Sequence, residues 1–143
     1  EIIPVAMKYC VVKLDEKKAA AKQKRWQAIA ESAAKQSKRT VIPLVHAPVG
    51  WKEALQMAGS HGVTLVPYEN ERGMEATRET IGGIADGVDI AVIIGPEGGF
   101  SPEEINAVDE QETMHRISLG RRILRTETAG LATLAMLIYQ LDE

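Results

Sequence analysis

Two short stretches concentrate the residues able to do chemistry. In "GPEGGF", residues 95–100, glycines let a ligand approach bare main-chain N–H and C=O groups, Pro96 stiffens the turn and Glu97 adds an acid. In "SLGRRILRTETAG", residues 118–130, Arg121, Arg122 and Arg125 offer permanent positive charge to a phosphate or another anion. Thr126 and Thr128 of the same stretch can bond backbone or cap the helix that follows. Together they suit a flat or polar ligand held by main chain, beside a place where negative charge is stabilised. The purely structural alternatives are a tight strand-to-helix turn that needs glycine for its geometry and a capping segment with solvated arginines.

Several chemistries lack their residues. No Gly-Lys-Ser/Thr follows the glycine loop and its spacing is not G-x-G-x-x-G, which disfavours nucleoside triphosphates and NAD. His46, His61 and His115 are scattered without ligand spacing, so no metal site is expected. No G-x-S-x-G occurs. Cys10 is the only cysteine, which rules out an internal disulfide, points to a reducing compartment, and reads as a small buried apolar group.

The elements that must position these loops follow from periodicity. "VTLVPYE", "DIAVIIG" and "HRISLG" read as strands, each followed by a loop and a helix, the helices lying around "MEATRETIGGI", after Ser101, and in "LATLAMLIYQL". Such alternation implies an α/β fold, a mostly parallel sheet with helices on both faces, with ligands bound beyond the carboxyl ends of the strands. Ser101, Pro102 and Glu104 form a complete helix start, with the capping residue, the N1 proline and the N3 glutamate of a capping box. Nearer the amino terminus, Trp26, Ile29, Ala30, Ala33 and Ala34 predict one apolar stripe on a helix over 16–37. "EIIPVAMKYCVV" has strand character interrupted by Pro4, "TVIPLV" reads as a short edge strand, and "WKEALQMAGSHG" as a helix closed by Gly62.

With 143 residues, 45% hydrophobic and 26% charged, the chain has the size and composition of one soluble domain spanning 1–143. It opens directly on "EIIPV", which suggests a fragment of a longer polypeptide, and it has no apolar run long enough for a membrane. The net charge of −3 hides an asymmetry: residues 1–40 hold ten Lys or Arg against four Asp or Glu, the remainder seven against sixteen. A basic helix face near the start suits phosphate, or is simply solvated.

"IIGPEGGFSPEEI" with "ISLGRRILRTETAGL" resembles the RsmE family, the 16S ribosomal RNA uridine-N3 methyltransferases of the SPOUT superfamily. "IPV…CVVKLD", the "RW" at Arg25 and Trp26, and "AAKQS" extend the likeness over nearly the whole chain. The resemblance implies a C-terminal trefoil α/β knot, an exception to unknotted topology. It implies a cytoplasmic homodimer acting on 16S rRNA or the small ribosomal subunit. It also implies S-adenosylmethionine held by three loops, carried over onto Tyr68 and Glu69, onto Gly95, Pro96, Glu97, Gly98 and Gly99, and onto Leu119, Gly120, Ile123, Leu124, Thr128 and Ala129. Arg121 and Arg122, as loop arginines suited to phosphate, and Lys13, in the basic amino-terminal segment, are the expected RNA contacts.

Methylating N3 of uracil requires loss of its proton and stabilisation of the ring anion. Arg125 is the expected anion stabiliser, and Glu97 or Glu127 the expected proton acceptor, either of which could instead only orient its loop. Two departures from the family pattern stand out. Its small β-rich RNA-binding domain and the first strand and helix of the methyltransferase domain are absent, and Met7, Lys8 and Tyr9 stand where a Ser-Glu-Arg triplet is expected. The alternatives are a knotted ribose 2′-O RNA methyltransferase, disfavoured because such relatives carry an asparagine-containing motif where this chain has "RTETA", and a noncatalytic RNA-binding module using the basic segment.

Overall fold

The computed structural model describes residues 1–141, so the last two residues of the expected domain lie outside the described residues. The chain divides into two compact units, Glu1–Ala6 with Val12–Ala54, and Met7–Val11 with the chain from Leu55 onward.

In the first unit, β1 (Val5–Ala6) pairs in parallel with β2 (Val49–Gly50), and the long helix α1 (Glu16–Gln36) starts at Asp15, whose carboxylate accepts from the Lys18 N–H at 2.8 Å. The buried positions of α1 are Ala30 and Ala34, while Trp26 is half-buried and Ile29 is 55% exposed. The predicted stripe is therefore rotated. The face that turns inward runs through Gln23 and Gln27, whose amides serve the main chain of Pro43 and Val45: Gln27 Nε2 donates to Pro43 O at 3.1 Å and Gln27 Oε1 accepts from Val45 N–H at 2.8 Å. Gln23 Nε2 adds a bond to Val45 O at 3.1 Å.

Those bonds explain why "TVIPLV" is not the strand its composition predicts. Pro43 has no N–H, helix glutamines satisfy the neighbouring backbone, and only an isolated parallel bridge joins Ile2 to Val45. Helix α2 (Trp51–Gly59) likewise ends earlier than expected, at Gly59. Gly62 has another purpose, since a β-carbon there would sit 2.7 Å from Val88 Cγ1.

The second unit is built on a parallel sheet in the order β4-β3-β5, from β3 (Val63–Pro67), β4 (Ile90–Val92) and β5 (Met114–Ile117). Its central strand is covered on both faces: Thr64, Leu65 and Val66 are each fully buried, and Thr64 Oγ1 donates to Ala58 O at 3.0 Å. Leu65 and Ile117 form one core with Ile81 and Ile84, and with Leu137 of α5 (Thr126–Leu141); Leu119 and Met136 pack against it. The remaining helices are α3 (Glu75–Gly82) and α4 (Pro102–Asp109). The capping box of α4 forms as the sequence predicts: Ser101 Oγ accepts from Glu104 N–H and Glu104 Oε2 accepts from Ser101 N–H at 2.8 Å.

Met7–Val11 is a short strap within this unit. Glu104 is 5% exposed, and its second carboxylate oxygen accepts from the Lys8 N–H at 2.9 Å, so one side chain caps α4 and holds the strap. Cys10 is half-buried rather than buried, and its Sγ accepts from the Met7 N–H at 3.4 Å.

Candidate functional site

A cleft of about 680 Å³, counting its open mouth, lies beyond the carboxyl ends of β3, β4 and β5. Three segments line it: Pro67–Glu69 with Glu71, Ile94–Pro96 with Gly99 and Phe100, and Ser118–Leu124 with Thr126 and Ala129. A parallel sheet places such a site here because successive strands all end on this edge and the next segment of each must turn back over it.

The first segment is braced from outside the cleft. Arg116 on β5 sets its Nε 3.4 Å from Glu71 Oε2 and 3.2 Å from Asp109 Oδ1, with its guanidinium 5.8 Å from the centre of the Tyr68 ring. Asn70 Nδ2 donates to the Tyr68 hydroxyl at 3.0 Å, and Phe100 meets the Tyr68 ring edge-on with centroids 6.3 Å apart.

The glycines of the second segment divide their work. A β-carbon on Gly98 would sit 2.7 Å from Tyr9 Cβ and 3.0 Å from Tyr9 O, so this glycine admits the strap, not a ligand. Gly99 adopts φ +74°, closing a turn by donating to Pro96 O at 2.9 Å, and a β-carbon there would meet Glu69 Oε1 at 3.0 Å. The Glu69 carboxylate thus lies over the glycine turn.

Of the residues singled out from sequence, Tyr68, Glu69, Gly95, Pro96, Gly99, Leu119, Gly120, Ile123, Leu124 and Ala129 line the cleft. Arg121 and Arg122, expected as RNA contacts, line it as well. Glu97, Gly98, Arg125, Glu127 and Thr128 are exposed and outside the lining, and Lys13 is exposed in the first unit. Arg125 lies between two lining residues, Leu124 and Thr126, and its carbonyl accepts from the N–H groups of Thr128 and Ala129. Lining residues not singled out include Pro67, Glu71, Ile94, Phe100 and Ser118. Phe100 was the legible one, as the single phenylalanine closing the quoted loop.

Two exposed side chains near the loop have displaced ionisation. Hydrogen bonding to Glu103, then its charge, raises the Lys8 pKa; the Glu103 carboxyl is lowered first by its own backbone N–H, then by Ser101 and Lys8. The pair is 3.2 Å apart. Among the described residues, no group of three or more His, Cys, Asp or Glu is placed to hold a metal, and no helix is long and apolar enough to cross a membrane.

Residues 1–138 match the family described as the RNA methyltransferase domain. The chain belongs to that family. This RNA methyltransferase domain is 36% identical, over 143 residues, to ribosomal RNA small subunit methyltransferase E of Bacillus subtilis strain 168, covering 98% of this chain and 56% of that protein. The homologous enzyme of Mesomycoplasma hyopneumoniae strain 232 is 36% identical over 121 residues, which are 82% of this chain and 48% of that protein. Among solved structures, the ribosomal RNA small subunit methyltransferase E of Neisseria gonorrhoeae bound to S-adenosyl methionine superposes with a TM-score of 0.82 at 34% identity, covering 98% of this chain and 54% of that one. A methyltransferase of Legionella pneumophila in complex with the same cofactor gives 0.84 at 33% identity, covering 96% and 54%. The RNA methyltransferase domain thus spans about half the length of the relatives it matches.

Proposed function

We propose that this chain is the catalytic domain of an S-adenosylmethionine-dependent methyltransferase that acts, in the cytoplasm, on N3 of a uridine in small-subunit rRNA. One observation carries the proposal: a cleft at the ends of three parallel strands, lined by residues of two glycine-bearing loops, in a family whose relatives include structures solved with that cofactor. The residues present fit the group. Ile94, Leu124 and Ala129 offer apolar surface to a purine, the loop backbones offer donors and acceptors to its edge, and Glu69 and Glu71 offer carboxylates to hydroxyl or ammonium groups.

When bound, S-adenosylmethionine supplies an electrophilic sulfonium methyl. The chain's own residues supply the rest. The two loops fix the reacting partners in line, which alone is a large part of such a rate enhancement. Arg125 stabilises the uracil anion, and Glu97 or Glu127 takes the N3 proton. Arg121 and Arg122, exposed at the cleft mouth, hold RNA phosphate beside it. Lys13, exposed in the first unit, is a further RNA contact of the same proposal.

A homodimer with a trefoil-threaded C-terminal segment belongs to the same proposal. Support for the homodimer is an exposed apolar stripe on α5, with Leu131 at 70%, Leu134 at 53%, Ile138 at 59% and Tyr139 at 90%. Sedimentation of a Leu134→Asp, Ile138→Asp double variant is expected to report a folded monomer where the parent is a dimer.

Calorimetric titration of S-adenosylmethionine into the intact protein, followed by mass spectrometry of nucleosides from methylated small-subunit rRNA, tests the function. Saturable binding, weakened about tenfold by Glu69→Ala, and 3-methyluridine in the product are expected. A folded protein that binds no cofactor, or a methyl found on ribose, overturns the proposal.

A further inference from the structure

Thr77 lies in the first turn of α3 with 1% of its surface exposed, and its hydroxyl bonds outside the helix. It is the third residue of α3, where the carbonyl four residues back, that of Gly73, lies outside the helix, whereas Thr133 inside α5 returns its hydroxyl to Ala129 O at 2.8 Å. Thr77 instead reaches 41 positions along the chain. Its Oγ1 donates to Ser118 O at 3.1 Å and accepts from Ser118 N–H at 2.9 Å, so one hydroxyl satisfies both main-chain groups of a single residue.

Ser118 is the first residue past β5, and its side chain continues the relay. Its Oγ accepts from the Gly120 N–H at 3.2 Å, and Gly120 is held at φ +109°. Sheet pairing stops at the same point: the Tyr68 N–H takes the Ile117 carbonyl at 3.0 Å, while the groups of Ser118 are turned to α3. The chain therefore leaves the sheet on a path set by two hydroxyls, and Ser118–Leu124 enters the cleft lining along it. Leu119 packing against the central core pins the side chain between them.

We infer that Thr77 is a positioning residue for cofactor binding, acting through Ser118 to fix the backbone of the second loop. The inference rests on the assignment of the cleft to S-adenosylmethionine. Replacing Thr77 by valine keeps the shape and removes both bonds, leaving a buried N–H and a buried C=O unpaired. Thr77→Ser keeps the hydroxyl.

Two measurements on the intact protein test it. Amide hydrogen exchange without cofactor reads the clamp: Thr77→Val is expected to lose protection at Ser118 and Gly120 while Leu65 and Val66 in β3 keep theirs, and Thr77→Ser to restore it. Calorimetry and kinetics read the consequence: Thr77→Val is expected to weaken S-adenosylmethionine binding about tenfold and raise its KM similarly, with kcat at saturation nearly unchanged and recovery in Thr77→Ser. Ser118→Ala, which frees the N–H and the carbonyl of Gly120 but keeps the Thr77 bonds to the Ser118 main chain, is expected to fall between and serves if Thr77→Val does not fold. Unchanged protection in a folded Thr77→Val overturns the clamp; lost protection with parental affinity overturns its role in binding; parental affinity in Ser118→Ala, if Thr77→Val does not fold, overturns the relay. An unsubstituted protein that binds no S-adenosylmethionine overturns the cofactor assignment and, with it, the role, while the exchange data still report the clamp.

Discussion

The two loops at the cleft are held in opposite ways. The glycine loop is tied along its length: Gly98 against Tyr9, the Gly99 N–H to Pro96, Phe100 against Tyr68, and the capping box immediately after it. The arginine loop is tied at its ends, by Thr77 at Ser118 and by the first turn of α5 at the Arg125 carbonyl, with Arg121, Arg122 and Ile123 exposed between. A loop whose glycines are spent on chain packing is a fixed wall. A loop fastened at two points, with Arg121 and Arg122 exposed between them, leaves cationic side chains available, and the proposed anion-stabilising role of Arg125 falls on it.

The sharpest way to break that contrast is Arg125→Ala. If the arginine loop carries the chemistry, kcat falls by about 10²–10³, the scale of losing an anion-stabilising donor, while cofactor affinity and melting temperature stay near parental values. A comparable loss of cofactor affinity would instead make Arg125 part of the wall. Gly98→Val attacks the other loop. A valine driven into Tyr9 costs about 1–3 kcal/mol as overpacking, seen as a melting temperature lower by several degrees. Exchange at Ser118 is expected to stay protected in this variant.

The parts legible in sequence were those with a local cause. The capping box of Ser101 and Glu104, the apolar run of β3 and the three strand-loop-helix units follow from spacing alone, and all appear. The misses have non-local causes. Ile29 fits the helical stripe, yet the inward face of α1 is set by glutamines that serve the backbone of Pro43 and Val45, a contact no periodicity encodes. Gly98 reads as a glycine left open for a ligand until Tyr9, 89 positions earlier, is seen against it. Thr77 carried no signal at all, because a threonine in "EATRET" looks like any weak helix former.

Glu104 offers a smaller, cleaner separation of the two loops. Its two oxygens accept from Ser101 and Lys8, and Glu104→Gln keeps only one acceptor and removes the negative charge from the start of α4. The expected loss is about 1–2 kcal/mol in a denaturant titration, with faster exchange at the Lys8 and Ser101 amides. The arginine loop should not register it. Faster exchange at Gly120 in this variant would mean that the loops are coupled through the cleft.

The smallest effect expected is that of Lys8 and Glu103, both exposed and screened by salt. Glu103, with its pKa lowered from 4.5, contributes stability above that value that is lost as pH falls through the lowered pKa. Lys8, raised from 10.5, contributes stability below that value that is lost as pH rises through the raised pKa. Between these limits the pair is pH-independent. The two limbs differ in origin, because Glu103 is held first by its own backbone N–H and by Ser101, whereas Lys8 depends chiefly on Glu103. Lys8→Gln is therefore expected to abolish the alkaline limb and leave most of the acid limb, in thermal melts at low salt across the pH range. Loss of both limbs together would show that the strap, not the start of α4, orders the Glu103 carboxylate.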